Sequence, residues 1–107
     1  MNGEHVIRVV QFREGPWYVA QCLEVDIAAQ AKTERDLLYQ LSRLLVGRIL
    51  ASEKLGVDPF DTLPPAPQRY WNMYAEATSQ PSRVLPFVPV QSDSAHSLPM
   101  LEMKAAA

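Results

Sequence analysis

Proline is the feature that most restricts how this 107-residue chain can fold. Four prolines fall between Val57 and Pro67, and four more follow Ser79. Because proline lacks a backbone N–H and clashes with the preceding helical turn, neither stretch is expected to hold a long helix or a central strand. Regular structure should therefore be concentrated before residue 57, with one shorter segment between the two proline-rich stretches.

The first third of the chain predicts three short strands. His5–Phe12 and Trp17–Leu23 are rich in β-branched and aromatic residues, and a Gly15-Pro16 turn between them predicts an antiparallel hairpin. Ile27–Ala31 is a shorter third strand. Side chains alternate along a strand, and both faces of the second strand are largely apolar. One face should meet a helix, and the other is open to a second chain.

The segment from Thr33 to Gly56 predicts one long amphipathic helix. Thr33 suits the N-cap position, Asp36 completes a capping pattern three residues later, and Gly56 suits the left-handed residue that ends a helix. A second, aromatic helix is predicted from Pro67 to Thr78. Proline suits the first turn of a helix, because its missing backbone N–H would have no partner there. The apolar stripe of the long helix is Leu37, Leu38, Leu41, Leu44, Leu45 and Ile49.

Together these elements predict an α+β protein. A small antiparallel three-stranded sheet, in the order β-β-β-α, should pack on the long helix, followed by a proline-rich link, the short aromatic helix and a largely flexible tail. The predicted αβ domain is residues 1–78, and the Pro/Ser-rich tail is residues 79–107. The folded part is near the lower size limit for an independent core, which favours a homodimer or a higher homo-oligomer.

Composition excludes several classes of protein. Lys and Arg number 10 against 12 Asp and Glu, so the chain lacks the strong positive charge typical of nucleic-acid-binding domains. A single cysteine, Cys22, cannot form an intramolecular disulfide. No stretch approaches the roughly 18 apolar residues of a membrane span, and the start lacks a signal-peptide pattern. We therefore expect a cytoplasmic protein without membrane contact.

The sequence contains no recognisable catalytic or metal-binding pattern. His5 and His96 are far apart, and a lone mid-strand cysteine such as Cys22 usually behaves as a small apolar residue. A degenerate RNase H-like nuclease remains an enzymatic alternative, because such enzymes hold magnesium with several carboxylates. Its candidates are Glu24, Asp26, Glu34 and Asp36, although acidic residues also favour a helix start. We predict a noncatalytic protein with no cofactor and no metal.

Large aromatic side chains are the candidate contacts for a protein partner. Aromatic residues are enriched among interface hot spots, and Tyr70 and Tyr74 lie four residues apart on one face of the short helix, with Trp71 beside them. Burial in the core is the alternative for each, because large rings also dominate buried area. The predicted partner-binding residues are Trp17, Tyr18, Tyr70, Trp71 and Tyr74.

The run WYVAQCLEVDIAAQAKTERDLLYQLSRLL resembles the N-terminal domain of the HicB family of type II antitoxins. That family has an aromatic-Val-Ala-x-Cys-x-Glu segment, which Tyr18–Glu24 matches. Its third strand ends in Gln-Gly-Asp-Thr, which Gln30–Thr33 matches with Ala31 and Lys32 in place of glycine and aspartate. The usual Pro-Gly of the preceding link is missing. The resemblance covers about residues 5–56.

The resemblance implies both a fold and a function. The fold is a partial RNase H-like β-β-β-α unit completed by a fourth strand, without the catalytic carboxylates of that nuclease. The function is to bind and neutralise a small HicA-like toxin, an mRNA interferase. Many members add a helix-turn-helix or ribbon-helix-helix domain, which this chain does not show, so direct DNA binding is not expected. An orphan homo-oligomeric accessory or regulatory αβ module without a toxin partner is the alternative.

Overall fold

The structure, a computed structural model, describes residues 6–86 and 98–106. This part of the chain contains five strands and two helices. In chain order they are β1 (Val6–Glu14), β2 (Trp17–Cys22), β3 (Ala28–Ala31), α1 (Glu34–Leu55), α2 (Gln68–Glu76), β4 (Ser82–Val84) and β5 (Met100–Ala105). The five strands form one sheet in the order β3-β2-β1-β5-β4.

The sheet corrects the predicted three-stranded arrangement. Strands β1, β2 and β3 are antiparallel neighbours as predicted, but β5 pairs in parallel with β1, and β4 pairs antiparallel with β5. The fold is α+β with a five-stranded mixed sheet, so the prediction of three strands and a largely flexible tail is wrong. The sheet takes strands from both sides of the boundary placed after residue 78, and residues 87–97 lie outside the described residues.

The two additional strands have no local signal in the sequence. The residues of β5, MLEMKA, include no β-branched side chain and directly follow Pro99. Their strand conformation comes from pairing with β1, in a register that runs from Val6↔Met100 to Gln11↔Ala105. Strand β4 has only three residues and lies at the sheet edge, where nearby prolines are tolerated.

Helices α1 and α2 cover opposite faces of the sheet, which gives the molecule three layers. Because side chains alternate along β1, Val9 joins the core under α1 and Val10 joins the core under α2. The larger core, on the α1 face, is Ile7, Val9, Ala20, Cys22, Val25, Ala29, Ala31, Leu37, Leu41, Leu45 and Leu101. The smaller core, on the α2 face, is Val10, Leu23, Ala66 and Tyr74.

Helix α1 begins and ends at the predicted residues. The Thr33 hydroxyl accepts the backbone N–H of Asp36 at 3.1 Å, and Gly56 ends the helix in the left-handed conformation with φ 70°. Most of the predicted apolar stripe is buried, including Leu37, Leu41, Leu45 and Ile49. Leu44 is an exception because its side chain is 48% exposed.

The proline-rich link carries the chain around one end of the sheet, from the α1 face to the α2 face. The backbone N–H of Asp26 donates to the Pro64 carbonyl at 2.8 Å, and that of Ala66 donates to the Leu23 carbonyl at 2.9 Å. These bonds attach the link to the segment between β2 and β3. They hold the start of α2 against the sheet, and α2 packs on β1.

Candidate partner-binding surface

Four of the five predicted contact residues belong to the α2 side of the molecule. Tyr70, Trp71 and Tyr74 lie on α2, and Trp17 occupies a β2 position that alternation places on the α2 face. Tyr18 lies on the opposite face and packs against the larger core. The predicted set is therefore split. We call the partly buried apolar surface on the α2 side the aromatic face; it consists of Phe12, Trp17, Val19, Tyr70 and Trp71.

Tyr74 is part of the core under α2. Only 9% of the residue is exposed, and its hydroxyl donates to Glu102 Oε2 at 2.9 Å. The ammonium of Lys104 lies 4.8 Å from the centre of the ring. Burial, together with the bond to Glu102, raises the pKa of Tyr74 to about 12. The Tyr74 side chain thus anchors α2 to the sheet and presents little surface to a partner.

Trp71 links α2 to a charged pair on the sheet. Its indole Nε1 donates to the Ala66 carbonyl at 3.1 Å, and the Arg8 guanidinium lies 4.8 Å from the ring centre. The Arg8 side chain also forms an ion pair with Glu24, whose Oε2 accepts from Nε at 2.6 Å. The other oxygen of Glu24 accepts the backbone N–H of Arg8 at 2.8 Å. One face of the Trp71 ring is therefore occupied by the chain's own cation.

Tyr70 and Phe12 stack where α2 crosses β1. Their ring centres are 6.0 Å apart, with an angle of 24° between the planes. The Arg69 guanidinium lies 4.7 Å from the centre of the Tyr70 ring, and its Nη2 donates to the Tyr70 hydroxyl at 2.7 Å. This pair closes the aromatic face on the side of the β1–β2 turn, because Phe12 lies close to the end of β1.

Trp17 occupies the half of this sheet face that lies beyond α2. The ammonium of Lys32 lies 5.2 Å from the centre of its ring, and the indole is partly exposed. Val19, on the same face of β2, pairs with Gln30 of β3 and is also partly exposed. Since α2 packs on β1, Trp17 and Val19 of β2 form a small apolar shelf beside the helix.

The carboxylates of the nuclease alternative lie in two segments of the chain, and three of the four are bonded to other side chains of the protein. Glu24 binds Arg8, and Asp26 accepts from Gln21 Nε2 at 2.8 Å; both precede β3. Glu34 and Asp36 follow β3 at the start of α1, where Glu34 accepts from a glutamine at 2.6 Å. Among residues 6–86 and 98–106, no three His, Cys, Asp or Glu side chains are grouped to hold a metal ion. His5 and His96 lie outside the described residues.

Cys22 lies in the larger core, where its sulfur is fully enclosed. It is a free thiol with no exposed surface. Burial raises the pKa of the Cys22 thiol to about 12, and the negative charge of Glu24 adds to the effect. The thiolate is the nucleophilic form of cysteine, so this environment suits a small apolar core residue, as the strand position predicts.

Sequence reasoning missed Phe12, Val19, Arg8 and Glu24 as parts of this surface. Alternation along β1 and β2 was a sufficient signal for Phe12 and Val19, since each shares a face with a residue of the smaller core. No local signal exists for the Arg8–Glu24 pair. The pair forms because Glu24, which follows β2 in the chain, lies next to Arg8 of β1 in the fold.

Comparison with protein families, curated proteins and solved structures finds no match to this chain. Across the described ranges, neither helix combines the length and apolar composition needed to cross a membrane. The function is therefore inferred from the residues of the aromatic face and from the HicB-like motif in the first half of the chain.

Proposed function

We propose that this protein is a noncatalytic, cytoplasmic antitoxin of the HicB type, or a derivative of one, that binds and neutralises a small HicA-like mRNA interferase. The observation that carries the proposal is the aromatic face, whose Trp17 and Val19 form an apolar shelf beside α2. The chain order β1-β2-β3-α1 also supports it, because the HicB-like motif implies that unit.

The aromatic face has the composition of a protein-binding surface. Tryptophan and tyrosine supply large contact areas at low conformational-entropy cost and are enriched among hot spots. Charged groups border the rings: Lys32 lies over Trp17, and Arg69 lies over Tyr70. An apolar centre with a charged, solvated rim is the usual anatomy of a protein interface. Trp17 is the expected hot spot, because it is partly exposed and is not among the side chains packed against the core under α2.

The bonding of three of the four carboxylates favours binding over catalysis. Magnesium-dependent nucleases need acidic side chains whose oxygens converge on one ion. Here Glu24 and Asp26, which precede β3 in the chain, are bonded to Arg8 and Gln21, respectively. Glu34, which follows β3, is bonded to Gln11. These contacts give Glu24, Asp26 and Glu34 structural roles.

The test is an RNA-cleavage assay with a candidate toxin, namely a small basic protein that co-purifies with the tagged chain in equal amounts. We expect the purified protein to stop cleavage at a 1:1 ratio. Trp17→Ala should weaken binding by at least about 30-fold, the effect of a hot spot worth about 2 kcal/mol. Tyr39→Ala is the matched control, because Tyr39 is an exposed aromatic residue on α1; it should inhibit like the unchanged protein.

Two outcomes would contradict the proposal. One is a toxin that remains active at a molar excess of the protein. The other is magnesium-dependent RNA cleavage by the protein alone, abolished when Glu24, Asp26, Glu34 and Asp36 are replaced by alanine together. That result would establish the nuclease alternative.

A further inference from the structure

The two edges of the sheet differ in how well they are protected from pairing with another chain. Strand β4 forms one edge; it has three residues, the charged Arg83 is its middle residue, and Pro81 and Pro86 lie close to its ends. Short length, charge and proline are common means of protecting an edge strand. Strand β3 forms the other edge. Its residues, AAQA, include neither a charge nor a proline, and its register with β2 contains no bulge.

Half of the backbone groups of β3 point away from the sheet. The backbone N–H of Cys22 donates to the Ile27 carbonyl at 2.9 Å, so these two residues form a hydrogen-bonded pair. Bonded and non-bonded pairs alternate along an antiparallel ladder, which makes Ala29 the next residue that bonds to β2. The N–H and C=O groups of Ala28 and Gln30 therefore point outward. Among the described residues, no strand lies on that side of β3.

The open edge of β3 adjoins the aromatic face. Ala28 and Gln30 are exposed, and Gln30 lies on the α2 face of the sheet because it pairs with Val19. The next residue on this face, Lys32, places its ammonium 5.2 Å from the centre of the Trp17 ring. A strand added to β3 would therefore lie one strand away from the apolar shelf, and its side chains on the α2 face would come next to that shelf.

The chemistry of this edge defines the class of its ligand. Outward N–H and C=O groups along a strand are complementary to the backbone of another extended segment. Pairing over four residues buries on the order of a few hundred Å², whereas a stable interface needs roughly 1,000 Å². A second copy paired on β3 would lie in the plane of the sheet and leave both aromatic faces uncovered. A different protein can pair with β3 and cover Trp17 and Val19 together, which supplies the missing area.

We propose that β3 binds an extended segment of another protein as an added strand. The backbone of that segment pairs with the outward N–H and C=O groups of Ala28 and Gln30. Its side chains alternate, and those on the α2 face are apolar because they lie beside the shelf of Trp17 and Val19. Strand addition at β3 does not require the partner to be a toxin, so it holds even where the proposed function fails.

The first test is selection from a library of random peptides displayed on phage, with the full chain as the target. We expect enriched peptides whose apolar residues alternate with polar ones. The best peptide, made synthetically, should bind Gln30→Pro at least about tenfold more weakly than the unchanged protein, because proline removes the outward N–H. Gln30→Ala keeps that N–H and is the matched control; it should bind like the unchanged protein. Thermal unfolding checks that Gln30→Pro retains the fold. No enrichment, or equal binding by Gln30→Pro, would overturn the proposal.

A second test leaves the protein unchanged and alters the peptide backbone. An added strand bonds to β3 through every second N–H, so methylation of one alternate set of peptide amide nitrogens should abolish binding. Methylation of the other set should weaken binding by less than about threefold, because those groups face away from β3. Equal effects of the two sets would overturn the proposal. Sedimentation velocity identifies the competing occupant: a dimer that Gln30→Pro converts to a monomer would assign the edge to a second copy and would also overturn it.

Discussion

Tyr74 donates its hydroxyl to Glu102 at 2.9 Å, and this bond joins α2 to β5. The other oxygen of the same carboxylate accepts from Arg83 of β4 at 3.1 Å. The hydrogen bond from Tyr74, followed by the bond and the charge of Arg83, lowers the pKa of Glu102. A single side chain thus connects the second helix and both late strands. It adds a side-chain link to the backbone pairing that already joins β5 to β1.

Tyr74→Phe should lower the free energy of unfolding by about 1–2 kcal/mol. The substitution keeps the buried ring and removes one hydrogen bond to a charged acceptor. Urea denaturation measures the loss, and Tyr70→Phe is the control, because the Tyr70 hydroxyl bonds to an exposed arginine. We expect the control to change stability by less than about 0.5 kcal/mol. Equal urea midpoints for Tyr74→Phe and the unchanged protein would show that the bond contributes no stability.

Alkaline pH should destabilise the protein through the same residue. In the unfolded chain Tyr74 loses its proton near pH 10, whereas the fold raises the pKa of Tyr74 to about 12. The part of the free energy of unfolding that comes from this raised pKa is fully present below about pH 10. It is lost as pH rises toward 12, because Tyr74 releases its proton in the unfolded state first. Urea denaturation at several pH values below and above 10 measures how steeply the free energy of unfolding falls with pH. Tyr74→Phe should reduce it, and an unchanged slope would assign the alkaline loss to other groups.

The Arg8–Glu24 pair gives a prediction about the sheet under α2. Glu24→Ala removes the acceptor of both the Arg8 backbone N–H and its Nε, so we expect a loss of about 1–2 kcal/mol in the free energy of unfolding. Glu24→Gln keeps one acceptor oxygen and should lose less. Glu34→Ala is the matched control, since Glu34 accepts a single exposed bond. A loss from Glu34→Ala as large as that from Glu24→Ala would contradict this account.

Elements whose signals are local were predictable from the sequence. The ends of α1 depend on the Thr33 hydroxyl and on the left-handed conformation of Gly56, and both are properties of single residues. Strand β5 was not predictable, because its residues become a strand only by pairing with β1, at the other end of the chain. Its residues carry no β-branched side chain and follow a proline.

The candidate site shows the same limit at the level of side chains. Alternation correctly separates Trp17 and Tyr18 onto opposite faces of β2. Alternation alone does not say which face of the sheet α1 covers. In the structure α1 covers the face of Tyr18, so Tyr18 packs against the larger core, whereas Trp17 lies on the α2 face. Likewise, the burial of Tyr74 depends on Glu102 of β5, a strand without a local signal. Sequence reasoning therefore named the aromatic residues without separating the core rings from the surface rings.

Cys22 should be inert in the folded protein and reactive after unfolding. It has no exposed surface, and burial raises the pKa of its thiol to about 12, so very little of the reactive thiolate forms near pH 8. A colorimetric thiol reagent should react at least about a hundredfold more slowly in buffer than in concentrated urea. The exposed thiol of Gln80→Cys is the control and should react at once under both conditions. Fast labelling of native Cys22 would mean that the core between the sheet and α1 opens readily, and the stability expected from that core would then be wrong.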